Sequence, residues 1–210
     1  MKYKVMIVED QTMPRELFEL RIQASERFEV ALSIDNAALA DVYCLRFPVD
    51  LILMDVITRD GENGLDAAAR IKRAFPQIKI IIVTSMPECS YLKRAKEIGV
   101  ESFWYKEEQR ESLLDVMERT MNGESVYPGT SPELTLGMAS SYQFTERELD
   151  ILREITSGDT NQEIADRLNM SVATVKTHIL NMLEKTGFRN RTELAVRARE
   201  SGLVILNRRN

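Results

Sequence analysis

The chain has 210 residues, of which 44% are hydrophobic and 29% are charged, and it carries a net charge of −5. This composition excludes a disordered chain, and its acidic balance argues against a single domain devoted to nucleic acid. No apolar run approaches the ~20 residues that cross a bilayer, and the two cysteines lack metal-ligand spacing, so we expect a cytoplasmic protein without a membrane partner.

Residues 1–122 alternate between apolar runs and helical patterns. The apolar runs, which are typical of buried strands, cover residues 5–8, 28–33, 51–54, 80–83 and 102–105. The helical patterns follow these runs at residues 12–24, 37–45, 64–74, 89–98 and 109–122. Because strands that alternate with helices form parallel sheets, this order predicts an α/β domain.

The composition changes after residue 122. Residues 123–142 are rich in turn-forming residues and lack a sustained period, which predicts a linker. From residue 143 the patterns are helical, and four side chains stand where a helix can begin: Thr145, Thr160, Ser171 and Asn190. The sequence therefore predicts one domain over residues 1–122, a linker over 123–142 and a small all-α domain over 143–210.

Charge is divided unevenly between these parts. Residues 1–142 contain 17 basic and 23 acidic side chains, a net charge of −6, whereas residues 143–210 contain 11 and 10, a net charge of +1. Any part that binds nucleic acid therefore belongs in the C-terminal third.

Polar side chains stand at the ends of four predicted strands. They are Glu9 and Asp10 after the first strand, Asp55 after the third, Thr84 and Ser85 after the fourth, and Lys106 after the fifth. Ligands of parallel sheets bind beyond the carboxyl ends of the strands, so these groups should converge on one crevice. Each alone is explained by a helix cap or a surface charge. Together they suit a divalent cation and a phosphoryl group.

This set, in this order over residues 1–122, resembles the receiver domain of two-component response regulators. The resemblance implies a flavodoxin-like (βα)5 fold with strand order 2-1-3-4-5. It also implies that Asp55 accepts a phosphoryl group from a sensor histidine kinase. Its further assignments are Glu9, Asp10, Asp55 and the Ile57 backbone carbonyl as Mg²⁺ ligands, and Thr84, Ser85, Phe103 and Lys106 as phosphoryl-binding or switch residues.

The sequence departs from the receiver pattern next to two of these residues. The loop after Asp55 is one residue longer than is usual and has Arg59 where proline is common, and Lys106 is followed by Glu107-Glu108. Two alternatives therefore stay open. The first is a DNA-binding regulator whose receiver is switched by a protein or small ligand. The second is an aspartyl phosphatase or phosphotransferase, although such haloacid-dehalogenase-like enzymes usually have an aspartate where Ile57 stands.

The C-terminal part resembles the helix-turn-helix domain of the LuxR/NarL class over residues 143–204. The resemblance is carried by the segments 144–148, 161–165 and 171–178. In such a motif the second helix lies in the major groove of DNA. On the predicted helix 172–186, apolar residues form one face and polar residues the other, which independently favours this interpretation.

These patterns predict double-stranded promoter DNA as a partner, bound by a homodimer. The predicted DNA contacts are Thr160, Asn161, Ser171, Thr174, Lys176, Thr177, Leu180 and Asn181. By resemblance the last helix is the dimer contact, with Leu194, Ala195 and Ala198 facing the partner. The following run 203–206 has two open interpretations, a part of that contact or a part of the local core.

Overall fold

The computed structural model describes residues 2–59, 63–85, 89–106, 112–129 and 133–204. These residues form two compact units. The first consists mainly of the described residues within 1–85 and 91–129, and the second mainly of those within 130–210. Within this described part of the chain, every helix is too short or too polar to cross a membrane.

The first unit is built on a parallel sheet. Its strands are β1 (Tyr3–Val8), β2 (Phe28–Ile34), β3 (Leu51–Met54), β4 (Lys79–Thr84) and β5 (Ser102–Tyr105). Its helices are α1 (Thr12–Gln23), α2 (Ala40–Arg46), α3 (Gly64–Ala74), α4 (Cys89–Ile98) and α5 (Leu113–Met121). The strand order β2-β1-β3-β4-β5 confirms the predicted topology.

Burial explains the apolar runs of the sheet. Every residue of β3 and β5 is buried, as is every residue of β4 after Lys79. Strands covered on both faces by helices read as continuous apolar sequence, which is why these runs could be found without the structure. The predicted helix 109–122 is described from Ser112, whose side chain accepts the Asp115 N–H and caps α5.

Within the predicted linker 123–142, described residues towards both ends pack against the adjoining units. Val126 packs against the core of the first unit, and its carbonyl accepts the Phe103 N–H at 2.9 Å. Residues 135–140 form a hairpin of β6 (Thr135–Leu136) and β7 (Ala139–Ser140), and its Leu136 and Ala139 are buried in the core of the second unit. Turn-forming residues indicate irregular backbone, but hydrogen bonds and burial can still fix such backbone in one place.

The second unit is a small all-α domain around its own apolar core. Its helices are α6 (Glu146–Thr156), α7 (Asn161–Arg167), α8 (Val172–Thr186) and α9 (Arg191–Ser201). The side chains of the four predicted caps, Thr145, Thr160, Ser171 and Asn190, each accept a backbone N–H in the first turn of the helix that follows. Gly187 ends α8 in the left-handed region, with φ of 74°.

Candidate phosphoryl site and candidate nucleic-acid interface

Three carboxylates meet at the carboxyl ends of β1 and β3. One ligand oxygen from each of Glu9, Asp10 and Asp55 lies within 4.8 Å of the others. Glu9 and Asp55 are only 1% and 5% exposed, whereas Asp10 is half-buried. Buried like charges at this distance repel one another and lose hydration, so the cluster needs a compensating cation.

Lys106 supplies one positive charge to this cluster. Its Nζ lies 2.5 Å from Glu9 Oε2 and 2.8 Å from Asp55 Oδ2. Its backbone N–H donates to the Thr84 carbonyl oxygen at 2.9 Å, which fixes the end of β5 against β4. Burial opposes the charge of the ammonium, but the Asp55 and Glu9 carboxylates outweigh it and raise the pKa of Lys106.

One ammonium does not compensate the three carboxylates. Burial raises the pKa of the Asp55 carboxyl to about 7, and the Glu9 carboxylate acts in the same direction against the opposing effect of Lys106. Ionisation of Asp55 is therefore unfavourable in this site, and a second cation at this position would stabilise the carboxylate form.

The remaining oxygens of the cluster show which groups are free to bind a metal. Asp55 Oδ1 accepts the Val56 N–H at 2.7 Å, and Glu9 Oε1 accepts the Gln11 N–H at 3.1 Å. The Asp10 carboxylate has no such partner among the described residues. Carboxylate oxygens are the ligands that Mg²⁺ prefers, so the donor set fits this ion. The Mg²⁺-binding cluster expected of a receiver domain is thus represented by Glu9, Asp10 and Asp55.

The loop after Asp55 is closed on itself at its base. The Gly64 N–H donates to the Val56 carbonyl at 2.8 Å, and Ile57 forms a bridge with Asn63. A Cβ atom at Gly64 would lie 1.8 Å from the Asp55 carbonyl oxygen, so only glycine fits there. Ile57 is half-buried in this turn, and residues 60–62 of the longer loop lie outside the described residues.

Arg59, which stands in place of the usual proline, contacts the loop after β2. Its Nη1 lies 2.6 Å from Asp35 Oδ2, and its N–H donates to the Asp35 carbonyl at 3.2 Å. The neighbouring Thr58 is buried, and its hydroxyl oxygen accepts the Ala37 N–H at 3.0 Å. The unusual loop is therefore anchored by hydrogen bonds where proline would restrict the backbone directly.

The predicted switch residues lie at the end of β4 and within β5. Thr84 is fully buried at the end of β4, and Ser85 follows it in a half-buried position. Phe103 is 1% exposed in β5, and its ring centroid lies 5.0 Å from that of Tyr105.

Two residues near the site were not found from the sequence. Arg15 in α1 donates from Nη1 to the Glu9 carbonyl oxygen at 2.9 Å. Tyr91 in α4 is 5% exposed, and burial together with the Asp55 charge raises the pKa of its phenol. No local sequence signal marks either residue, because each reaches the site from a helix surface rather than from a strand end.

The predicted DNA contacts of α8 share one exposed face. The face opposite to them is buried and holds Val175, Ile179, Met182 and Thr186, as the periodicity predicted. The exposed members of the set are Ser171, Thr174, Lys176, Thr177, Leu180 and Asn181. Leu180 is 65% exposed, so its side chain is available for contact with a partner.

The predicted contacts at the start of α7 have structural partners of their own. The Thr160 hydroxyl lies in a capping box with Glu163, donating to its carboxylate at 2.8 Å. Asn161 Oδ1 accepts from Arg191 Nη1 at 2.5 Å, which ties α7 to α9.

Two of the three side chains predicted to face a partner are not on the surface of the second unit. Leu194 and Ala198 are fully buried, and Ala195 packs partly against the same core of the second unit. These side chains are apolar because α9 packs against its own domain. Leu203 and Val204 are also buried in this core, which supports the local-core interpretation of the run 203–206 for its described part. The exposed apolar residue of α9 is Val196.

Comparison with known families covers both units. Residues 5–118 match the response regulator receiver domain, and residues 142–198 match the bacterial regulatory proteins of the luxR family. The chain belongs to the LuxR-family response regulators. It is therefore a DNA-binding transcription regulator of a two-component system, switched by phosphorylation. A histidine kinase and DNA are the partners that its two domains imply.

Relatives that align over nearly the whole chain support this assignment. The chain is 34% identical to the response regulator protein VraR of Staphylococcus epidermidis, over 97% of this chain and 100% of the relative. It is 33% identical over the same shares to VraR of Staphylococcus aureus.

Solved structures share the fold of this response regulator. RcsB from Salmonella enterica serovar Typhimurium, bound to promoter P1flhDC in the presence of the phosphomimetic BeF₃⁻, matches with a TM-score of 0.60 at 19% identity, covering 97% of this chain and 100% of that chain. The response regulator ChrA of a heme-sensing two-component system matches with a TM-score of 0.53 at 21% identity, covering 97% and 99% of the two chains.

Proposed function

We propose that Asp55 is the phosphoacceptor and that its phosphorylation controls DNA binding through the exposed face of α8. The observation that carries this proposal is the bridge from Lys106 to Asp55 and Glu9 inside a buried carboxylate cluster. Such a cluster is costly to maintain for structural reasons alone, because a buried charge network contributes little net stability. A functional role, in which phosphorylation changes the arrangement of charges, explains why the chain contains this cluster.

The reaction proposed for Asp55 is nucleophilic. A lone pair on a carboxylate oxygen forms the new P–O bond of an acyl phosphate, while the P–N bond of the kinase phosphohistidine breaks. The electron pair of that bond returns to the imidazole, which takes up a proton. The Lys106 ammonium, now 2.8 Å from Asp55 Oδ2, would follow the transferred oxygens, and the Thr84 hydroxyl would donate to them.

The residues that would hold Mg²⁺ are Glu9, Asp10 and Asp55 with the backbone carbonyl of Ile57. When bound, the ion supplies positive charge that neutralises the phosphoryl oxygens. Asp10 is the carboxylate best suited to remain a direct ligand, because Glu9 is already held by Lys106 and by the Gln11 N–H. The only enzymatic activity that we propose is Mg²⁺-dependent self-phosphorylation and autodephosphorylation at Asp55.

The acceptor assignment is tested by mass spectrometry. The intact chain is incubated with acetyl phosphate and Mg²⁺, and we expect one added phosphoryl group on the wild type and none on Asp55→Asn. The matched control is Asp115→Asn, which changes an exposed aspartate of α5 in the same unit and should be phosphorylated like the wild type. Equal labelling of the Asp55→Asn variant would contradict the assignment.

The proposed output is binding of a homodimer to double-stranded promoter DNA. A two-fold dimer reads paired half-sites about one helical turn apart. Lys176 would contact a phosphate, while Thr177, Leu180 and Asn181 face the bases, with Leu180 suited to a thymine methyl group. Since Leu194 and Ala198 are buried, we expect exposed side chains to form the dimer contact instead.

A further inference from the structure

A short segment after α5 lies along β5, the last strand of the sheet. The Phe103 N–H donates to the Val126 carbonyl at 2.9 Å, and the Val126 N–H donates to Ser102 Oγ at 3.1 Å. Residues 124–128 are called the edge segment below. The outer side of an edge strand has backbone groups without hydrogen-bond partners. The edge segment supplies a partner for the Phe103 N–H.

The Ser102 hydroxyl, which accepts the Val126 N–H, is oriented by a hydrogen bond to the buried Thr120 hydroxyl. Thr120 Oγ1 donates to the Val116 carbonyl at 2.6 Å, so its proton is already used. The 2.7 Å contact between the Ser102 and Thr120 hydroxyls must therefore be donated by Ser102. This leaves the Ser102 oxygen to accept the Val126 N–H. Ser102 and Thr120 are both fully buried, so water does not replace these bonds.

Tyr127 provides a second set of contacts that hold the edge segment in place. Its hydroxyl donates to the Val100 carbonyl at 2.7 Å, and Lys96 Nζ lies 5.1 Å from the centroid of its ring. The same ring lies 6.3 Å from the ring of Phe103, centroid to centroid. Burial raises the pKa of the Tyr127 phenol, so the hydroxyl remains a donor at neutral pH.

Phe103 connects these contacts to the phosphoryl site. It lies three residues before Lys106, whose Nζ contacts Asp55 at 2.8 Å. Phe103 is 1% exposed and packs between Tyr105 and Tyr127. In an interior packed this closely, the ring cannot change rotamer unless a neighbour moves. Of these two neighbours, Tyr127 is the one outside the sheet.

We propose that Tyr127 is a positioning residue that holds Phe103 in the conformation of the resting Asp55–Lys106 pair, and that the edge segment leaves β5 when Asp55 is phosphorylated. This inference rests on the proposed role of Asp55. Its consequence is a longer connection between the two units, by up to ~3.3 Å for each residue released.

Coupling between two sites is reciprocal, so loosening the edge segment must strengthen binding at Asp55. Beryllofluoride with saturating Mg²⁺ is the probe, and isothermal titration calorimetry on the full chain gives its affinity. We expect Tyr127→Leu to bind beryllofluoride about fivefold more tightly than the wild type, near the lower end of typical coupling. Tyr127→Phe keeps the ring beside Phe103 and should stay closer to the wild type. Tyr142→Leu, which changes an exposed ring of the second unit, should equal the wild type.

Hydrogen exchange of the Val126 amide is the second measurement. We expect slow exchange in the free wild type, and faster exchange both in Tyr127→Leu and in the wild type with beryllofluoride. Equal or weaker binding by Tyr127→Leu, or a Val126 amide that stays protected when beryllofluoride is bound, overturns the inference and leaves the role of Asp55 intact. A wild type that binds no beryllofluoride overturns the proposed role of Asp55, and the inference with it.

Discussion

The two units place their functional groups in opposite environments. In the receiver, Glu9 and Asp55 are buried and Lys106 is half-buried, and the three side chains converge from three strands. In the helical unit, the proposed DNA contacts of α8 are exposed on one helix, and their backbone is set by local hydrogen bonds. Buried charges depend strongly on their partners, whereas exposed ones are screened by water. Substitutions should therefore disrupt folding and chemistry together in the receiver, but affect binding alone on α8.

The largest difference is expected from Lys106→Ala. It leaves Glu9 and Asp55 buried without their ammonium, which should lower the free energy of unfolding of the receiver by ~3–5 kcal/mol. Urea denaturation followed by the fluorescence of Trp104, the single tryptophan, reports on this unit. Lys93→Ala is the matched control, because its ion pair with Glu97 is largely exposed and contributes at most ~1 kcal/mol.

The effect of Mg²⁺ on stability should also differ between the Lys106→Ala and Lys93→Ala variants. If the cluster is short of positive charge, millimolar Mg²⁺ should recover part of the stability that Lys106→Ala loses and change Lys93→Ala no more than the wild type. Identical Mg²⁺ effects on both variants would argue against a cation site at these carboxylates.

The next largest effect is expected from Gly64→Ala. The added Cβ would collide with the Asp55 carbonyl oxygen, so the loop must move, at a cost of ~1–3 kcal/mol. The displaced backbone carries the phosphoacceptor, and the rate of labelling by acetyl phosphate should fall with the stability. Gly99→Ala is the control for steric contact, since no atom lies within 4 Å of its Cβ, although its φ of 84° also disfavours alanine. Normal labelling of Gly64→Ala would show that this close approach is not essential.

In the helical unit, Thr145→Ala should have a moderate effect on stability. The Thr145 side chain accepts the Glu148 N–H at 3.2 Å and caps α6, and its loss should cost ~1 kcal/mol. The Thr145→Ser variant keeps the hydroxyl and should retain most of the stability. Thermal unfolding followed by circular dichroism compares the two. Equal destabilisation by both would assign the effect to the methyl group instead.

The smallest effect on folding is expected from Lys176→Ala. Its exposed side chain should be neutral for stability, yet DNA binding should weaken and the slope of log K against log salt should flatten by about 1. Fluorescence anisotropy over a salt series measures both quantities. Arg197→Ala, an exposed basic residue of α9, is the control for net charge. A salt slope unchanged by Lys176→Ala would remove this residue from the interface and weaken the contrast between the two units.

Sequence alone determined the features that depend on neighbouring residues or on strand order. The four capping residues, the apolar strands and the two faces of α8 were predicted because period and capping are local. The order of the sheet was implied only by the resemblance to receiver domains. The placement of polar groups at one edge was predicted because parallel strands end on the same side. The convergence of Asp55 with Glu9 and Lys106 was predicted for the same reason. The Glu9–Lys106 contact within it was not.

Tertiary structure decided the contacts between segments that are distant in the chain. Leu194 and Ala198 are apolar residues that suit a partner helix or a core, and only the packing of α9 shows that they belong to the core. Residues 124–128 carry the composition of a linker, yet the free edge of β5 and the Ser102 hydroxyl bind them. Gly64 is required because the Asp55 carbonyl passes beside it. Composition specifies what a segment can do, whereas the surface it meets determines which of those possibilities is realised.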